Sequence, residues 1–130
     1  MKQKSISSLK KEAWTVFSAY IRQRDADDRG MVRCVTCGSL KFWKDGDAGH
    51  FLPGRGNAIL FDERGVHFQC KPCNGGFRNQ RFSKDEVAEN YERYMLKRYG
   101  PKVVADLKRL RHTTKSFTIR KLETIIKKYQ

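Results

Sequence analysis

The sequence predicts an α+β fold, a zinc-stabilised ββα finger set between an N-terminal helix and a C-terminal helical segment. Two Cys-x2-Cys pairs, Cys34/Cys37 and Cys70/Cys73, bracket a stretch rich in β-forming residues and turns. Apolar residues recur at helical spacing before the first pair and again after the second. The chain has 130 residues, the size of one domain. It divides into an N-terminal helix (1–30), a zinc-bound ββα core (31–82) and a basic helical tail (83–130).

In the first helix, Leu9, Ala13, Val16, Phe17, Tyr20 and Ile21 share a face, and Ser7 or Ser8 can cap the start. The polar run Asp25-Ala26-Asp27-Asp28-Arg29-Gly30 ends it, and Met31-Val32-Arg33 reads as a short strand into the first cysteine pair. Leu40, Phe42 and Trp43 precede a turn at 44–47, and the first strand of the finger is expected at 48–52. Pro53-Gly54-Arg55-Gly56-Asn57 is a loop by composition. Ala58-Ile59-Leu60-Phe61 reads as extended, Asp62-Glu63-Arg64-Gly65 as a turn, and Val66-His67-Phe68-Gln69 as a strand alternating Val66/Phe68 against His67/Gln69. Phe42, Trp43, Phe77 and Phe82 are expected in the core. Ser83-Lys84-Asp85-Glu86 fits a capping box that opens a helix to about residue 99. Gly100-Pro101 then ends that helix and starts the next, and a last helix spans about 118–129.

The cysteine spacing carries the first functional expectation. A chain without an export signal keeps its thiols reduced, and no apolar stretch follows the basic start Met1-Lys2-Gln3-Lys4-Ser5. Nor does any apolar run approach the roughly 18–20 residues a membrane span needs. The chain is therefore expected in the cytoplasm. There, two Cys-x2-Cys units suit one tetrahedral Zn²⁺ held by Cys34, Cys37, Cys70 and Cys73. Such a site is closed and structural, so the chemistry must lie elsewhere.

The formal net charge is +14, from 28 basic and 14 acidic residues. An excess of this size repels itself on folding unless a polyanion screens it, and DNA is the expected partner. A merely solubilising charge is the competing reading. From Lys97 onward eleven basic residues face two acidic ones, interleaved with apolar positions, so those helices pack on one side and are basic on the other. Arg55 in the glycine loop and Arg78, Arg81 and Lys84 after the second cysteine pair are the expected phosphate contacts. His112, in the tail, is expected to be merely exposed.

A zinc ion joining 34–37 to 70–74 folds the intervening strands into a hairpin and brings His50 near Asn74. Phosphodiester hydrolysis needs a base for the attacking water and a cation for the charge of the transition state. A neutral imidazole at His50 suits the first task. Mg²⁺ or Mn²⁺ on hard oxygen ligands suits the second, and Asp47 and Asn74 are the candidates. His67 is a candidate metal ligand, phosphate contact or brace for the His50 strand. Each has a plainer reading: Asn74 as a helix cap, Asp47 as a turn residue, the histidines as ordinary hydrogen-bonding groups.

The stretch Asp47-Ala48-Gly49-His50-Phe51, the run Leu60-Phe61-Asp62-Glu63-Arg64, and Val66-His67-Phe68-Gln69-Cys70 with Cys73-Asn74 resemble the HNH nucleases. They are more similar still to the phage NinG (Rap) recombination-protein family, from about residue 13 to the closing Phe117-Thr118-Ile119 helix. That resemblance implies a ββα-metal endonuclease acting on branched recombination intermediates such as Holliday junctions and D-loops, encoded by a phage or prophage in a bacterial host. It implies His50 as general base, with Asp47 and Asn74 at a catalytic Mg²⁺ or Mn²⁺. Three features depart from the HNH pattern. Gly49 stands where many of those enzymes carry an acid. Gly65 aligns with the middle asparagine that braces the loop bearing the base, so the brace must come from elsewhere or be weaker. The helix after Asn74 carries Gly75-Gly76 and a longer basic stretch before Tyr91, so that region assigns no third ligand to the catalytic metal. Cutting a four-way junction on opposing strands would call for paired sites, as in a homodimer. A non-catalytic zinc-knuckle DNA-binding module and an HNH nickase of ordinary duplex DNA stand as alternatives.

Overall fold

The computed structural model describes residues 3–53, 57–75 and 81–130. Arg55, Arg78 and Phe77 lie outside the described residues, so the expectations attached to them rest on sequence alone.

Helix α1 spans Ile6–Arg24 and buries Leu9, Ala13, Phe17 and Ile21 along one stripe. Ser5 caps it, one turn earlier than the expected Ser7 or Ser8. The Ser5 hydroxyl accepts from the Ser8 backbone N–H, so Ser8 is the capped residue rather than the cap. Strands β1 (Met31–Arg33) and β2 (Leu40–Phe42) pair antiparallel around the first cysteine pair. A 3-10 turn at Trp43–Asp45 leads into β3 (Gly46–His50), which pairs antiparallel with β4 (Val66–Cys70) from Gly46↔Cys70 to His50↔Val66. The short helix α2 (Lys71–Gly75) follows β4 directly and carries Cys73 and Asn74. Helices α3 (Lys84–Tyr99), α4 (Pro101–Leu110) and α5 (Ile119–Tyr129) complete the chain.

The expected hairpin is present, shifted by two residues. β3 begins at Gly46 because a side chain there would collide with the Phe68 ring, 2.3 Å from an added Cβ. Glycine alone allows the ladder to run to its end at Cys70. Asp47 is consequently a regular strand residue opposite Gln69, reached with no bend or bulge.

Ala58–Phe61 differs in kind from its expected extended form. Residues 58–61 form turns, with Leu60 N–H donating to the Asn57 carbonyl and Asp62 N–H to that of Ile59. Ile59 points into the core between α3 and α4. The apolar run is explained by two anchored side chains, Ile59 there and Phe61 against Phe17 and Phe117, not by a strand.

β4 alternates as expected, yet both its faces are buried. Val66 packs with Phe17 and Ile21 of α1, while Phe68 joins Val32, Cys34, Cys70, Cys73 and Val87 around the cysteines. Trp43 and Phe82 pack against that second cluster, whereas Phe42 is exposed. The expected capping box is complete, Ser83 and Glu86 each accepting from the other's backbone N–H, and Pro101 opens α4. The tail docks: α5 lays Leu122 against Leu9 and Ala13, and Tyr129 against Phe17.

Candidate active site

Cys34 and Cys37 sit in a tight knuckle closed by the Gly38 N–H on the Cys34 carbonyl and the Cys34 N–H on that of Ser39, each 2.9 Å. β4 delivers Cys70 at its last position, and the first turn of α2 delivers Cys73. All four Sγ atoms lie within 4.8 Å of one another, with Cys37 and Cys70 at 3.6 Å. A tetrahedral zinc with bonds of about 2.3 Å needs sulfurs about 3.8 Å apart, so the cluster fits that ion. Burial pushes the Cys70 thiol up to about 11 and the Cys73 thiol higher still. Sulfurs so disinclined to ionise alone become good ligands when a cation replaces their protons. The four cysteines could therefore bind a metal such as zinc. It would tie β1, β4 and α2 to one point.

His50 ends β3 and is held on two sides. Its ring stacks on Trp14 of α1, centroids 5.1 Å apart and planes 16° from parallel. Its Nε2 lies 3.1 Å from the Leu60 carbonyl. A carbonyl can only accept, so Nε2 carries the proton and Nδ1 keeps a lone pair. Burial lowers the His50 pKa from its ordinary value against the opposing pull of that carbonyl, so the ring is neutral at pH 7.

A cavity of about 380 Å³ opens beside it, lined by His50, Gln69, Asn74, Lys84 and Tyr91 among others. Asn74 donates from Nδ2 to Asp47 Oδ2 at 3.2 Å, and Lys71 donates to Asp47 Oδ1 at 3.2 Å. Asp47 and Asn74 thus touch beside the cysteine end of the hairpin, while His50 stands at the other end of β3 and shares the cavity with Asn74. Lys84 reaches the cavity wall, and Arg81 is exposed two residues before the capping serine.

His67 takes the brace role among the three open to it. It is 0% exposed, with Nδ1 3.1 Å from the Tyr91 hydroxyl and Nε2 2.8 Å from that of Tyr99. Tyr91 donates its own proton to the Gly49 carbonyl at 2.6 Å, so His67 must donate to Tyr91 from Nδ1 and accept from Tyr99. Both ring nitrogens are used, which leaves none for a metal or a phosphate. The metal-ligand and phosphate-contact expectations for His67 are corrected on that ground. The chain from Tyr99 through His67 and Tyr91 fixes the peptide immediately before His50. The Phe51 N–H on the Gly65 carbonyl, at 2.8 Å, fixes the peptide after it. The bracing expected of a side chain at position 65 comes from Tyr91 and a glycine carbonyl instead.

The sequence assigns no site role to Trp14, Tyr91, Tyr99 or the Leu60 carbonyl. Trp14 had a usable signal, since it stands three and seven residues before the buried Phe17 and Ile21. The Leu60 carbonyl had none, because a backbone group has no sequence signature.

The Asp62-Glu63-Arg64 run is a structural clamp. Asp62 caps a 3-10 turn, Arg64 bridges Asp62 and Asp106 of α4, and Glu63 accepts from Tyr20 and Tyr129. His112 is exposed, as expected.

Fold and site together define a class: a small α+β protein whose four-cysteine, zinc-compatible centre anchors a braced strand pair beside a cavity lined by His50 and Asn74. Across residues 1–130 the chain matches the family described as Bacteriophage Lambda NinG protein, and it belongs to the NinG family. It is 32% identical over 123 residues to Protein ninG of Escherichia phage 933W, covering 92% of this chain and 54% of that relative. To Protein ninG of Salmonella phage P22 it is 39% identical over 67 residues, covering 49% of this chain and 30% of the relative. The chain thus spans about half the length of the first of these relatives, at 54%. No solved structure matches it. Among the described residues, no helix is long and apolar enough to cross a membrane.

Proposed function

We propose that this NinG-family chain is a metal-dependent DNA endonuclease of the HNH, ββα-metal kind, cutting branched recombination intermediates. One observation carries the reading: a neutral imidazole with Nε2 committed to the Leu60 carbonyl, at a cavity shared with Asn74. An imidazole fixed in that tautomer offers Nδ1 as a general base at neutral pH. Two antiparallel strands followed by a short helix, β3-β4-α2, carry the three residues concerned.

Asp47 and Asn74 supply the hard oxygen donors that Mg²⁺ or Mn²⁺ prefers, and they already touch. When bound there, such an ion would stabilise the charge gathering on the phosphate and on the departing 3′ oxygen. His50 takes the proton from the attacking water. Trp14 holds the ring in plane and excludes solvent from one face. Tyr91 holds the Gly49 peptide, and with it the height of the imidazole above the cavity. Lys84 and Arg81 suit the flanking phosphates, supported by the chain's net charge of +14.

The test is incubation of the zinc-loaded protein with a labelled four-way junction and Mg²⁺ or Mn²⁺, against His50→Ala. Cleavage by the wild type alone is expected, with binding by both. Binding without cleavage by either protein would favour a zinc-knuckle DNA-binding module. Equal cutting of junction, flap and linear duplex would favour a nickase of ordinary duplex, and sedimentation of the cutting species would show whether two copies act together.

A further inference from the structure

Gln69 is the polar side chain of the cavity with no role in the preceding account. It lies on β4 opposite Asp47 and is only 4% exposed. Its carboxamide makes no side-chain hydrogen bond to any described residue and opens onto the same cavity as His50 and Asn74. Its amide atoms are not fully shielded, so they bond whatever fills the cavity.

The backbone opposite explains how it fits. Position 49 is glycine, and a Cβ there would stand 1.8 Å from Gln69 Oε1 and 3.0 Å from Asn74 Oδ1. The Gln69 amide therefore occupies the volume that any side chain at 49 would fill. Two amide oxygens, on different elements, converge on one small region. Asn74 meanwhile turns its Nδ2 away to Asp47, whose carboxylate also meets the Lys71 ammonium at 3.2 Å. Amide oxygens brought this close to one point suit a hard cation or its bound water.

We propose that Gln69 Oε1, with Asn74 Oδ1 and the Asp47 carboxylate, forms the oxygen cradle for a divalent cation of the Mg²⁺ or Mn²⁺ class, and that position 49 is glycine so that Gln69 can reach it. This rests on the nuclease reading for its purpose, but its test does not depend on cleavage.

The zinc-loaded full chain is titrated with Mn²⁺ alone, free Mn²⁺ being followed by electron paramagnetic resonance. Wild type is expected to bind one Mn²⁺ beyond the zinc, and the Gln69 side-chain amide resonances should broaden at the lowest additions. Gln69→Leu should weaken that binding by about tenfold or more. Gln69→Glu should tighten it by adding a charge. Gly49→Ala, which evicts the Gln69 amide, should behave like Gln69→Leu. Zinc content serves as the folding control. If Gln69→Leu loses zinc, Gln69→Glu decides, and failure to tighten overturns the assignment. Equal Mn²⁺ affinity in wild type, Gln69→Leu and Gly49→Ala would overturn the role of Gln69 and leave the nuclease reading standing. A wild type that binds no Mn²⁺ overturns the cradle itself, and the junction assay then judges the nuclease reading separately.

Discussion

At the residue scale, the two histidines of the hairpin differ in what surrounds the same ring. Burial, reinforced by the nearby charges of Arg24 and Arg98, lowers the His67 pKa to about 3. The unfolded chain would take up a proton near 6.5 that the folded one refuses. Below that value the unfolded state binds more protons, so the stability contributed by neutral His67 is complete above pH 6.5 and declines as pH falls toward 3. Its ring nitrogens should accordingly keep the neutral, Nδ1-protonated NMR pattern at pH 5. A titration midpoint near 6 would contradict the brace. Tyr91→Phe removes a single oxygen and should release both the Gly49 carbonyl and His67 Nδ1. Cleavage should fall while DNA affinity holds, and the Gly49 and His50 amide resonances should shift. His50 must be neutral to act as base, and its pKa is also lowered. The cleavage rate should therefore rise with pH through a midpoint below 6.5 and level off by 7. From sequence, His50→Ala reads as nearly neutral for stability. The stack on Trp14 and the bond to Leu60 revise that to a loss on the order of 1–2 kcal/mol, measurable by urea unfolding.

Elements followed local rules where the chain itself closes the contact. The capping box at Ser83 and the Gly100-Pro101 junction needed no knowledge of the rest of the molecule, and both stand where expected. Ser83→Ala should cost about 1 kcal/mol in a urea melt, since the Glu86 N–H loses its acceptor. The misreadings arose where tertiary contacts overrode local pattern. Ala58–Phe61 looks extended because it is apolar, yet burial of Ile59 between α3 and α4 bends it into turns. β3 begins two residues before its expected start because the fit of Gly46 against the Phe68 ring is a contact across the hairpin. The site was legible to the extent that the cysteines dictate it. They join the ends of the hairpin, and Asp47, His50 and Asn74 follow. Partners contributed by α1 and α3 depend on how distant helices dock: helical spacing sets Trp14 beside the buried stripe of α1, but neither its stack on His50 nor the reach of Tyr91 is written locally.

For the whole molecule, the core is tied to the four-cysteine cluster, which could bind a metal such as zinc. The buried clusters are several and small, and one of them is built on three of the cysteines. Removing a zinc ion from such a centre removes folding energy. A strong chelator, or Cys70→Ser, should collapse the β1, β4 and α2 region, seen as loss of amide dispersion and a lower melting temperature. Retention of full zinc content by Cys70→Ser would contradict a four-thiolate site. DNA binding should weaken steeply with salt, log affinity falling linearly with log salt at roughly 0.9 per phosphate neutralised. Replacing Arg81 and Lys84 together should lower that slope by about two.

The docking of α5 has a practical corollary for anyone dissecting this protein. Leu122 is fully buried against α1, Tyr129 packs on Phe17 and hydrogen-bonds Glu63, and α1 also carries the tryptophan beneath the imidazole. The cationic end of the chain is therefore not a detachable arm. Trimming it would uncover apolar surface and loosen the seat of His50, so a shortened protein that fails to cut would say nothing about electrostatics. Swapping outward-facing lysines for glutamine, with the apolar stripe intact, separates attraction to DNA from architecture.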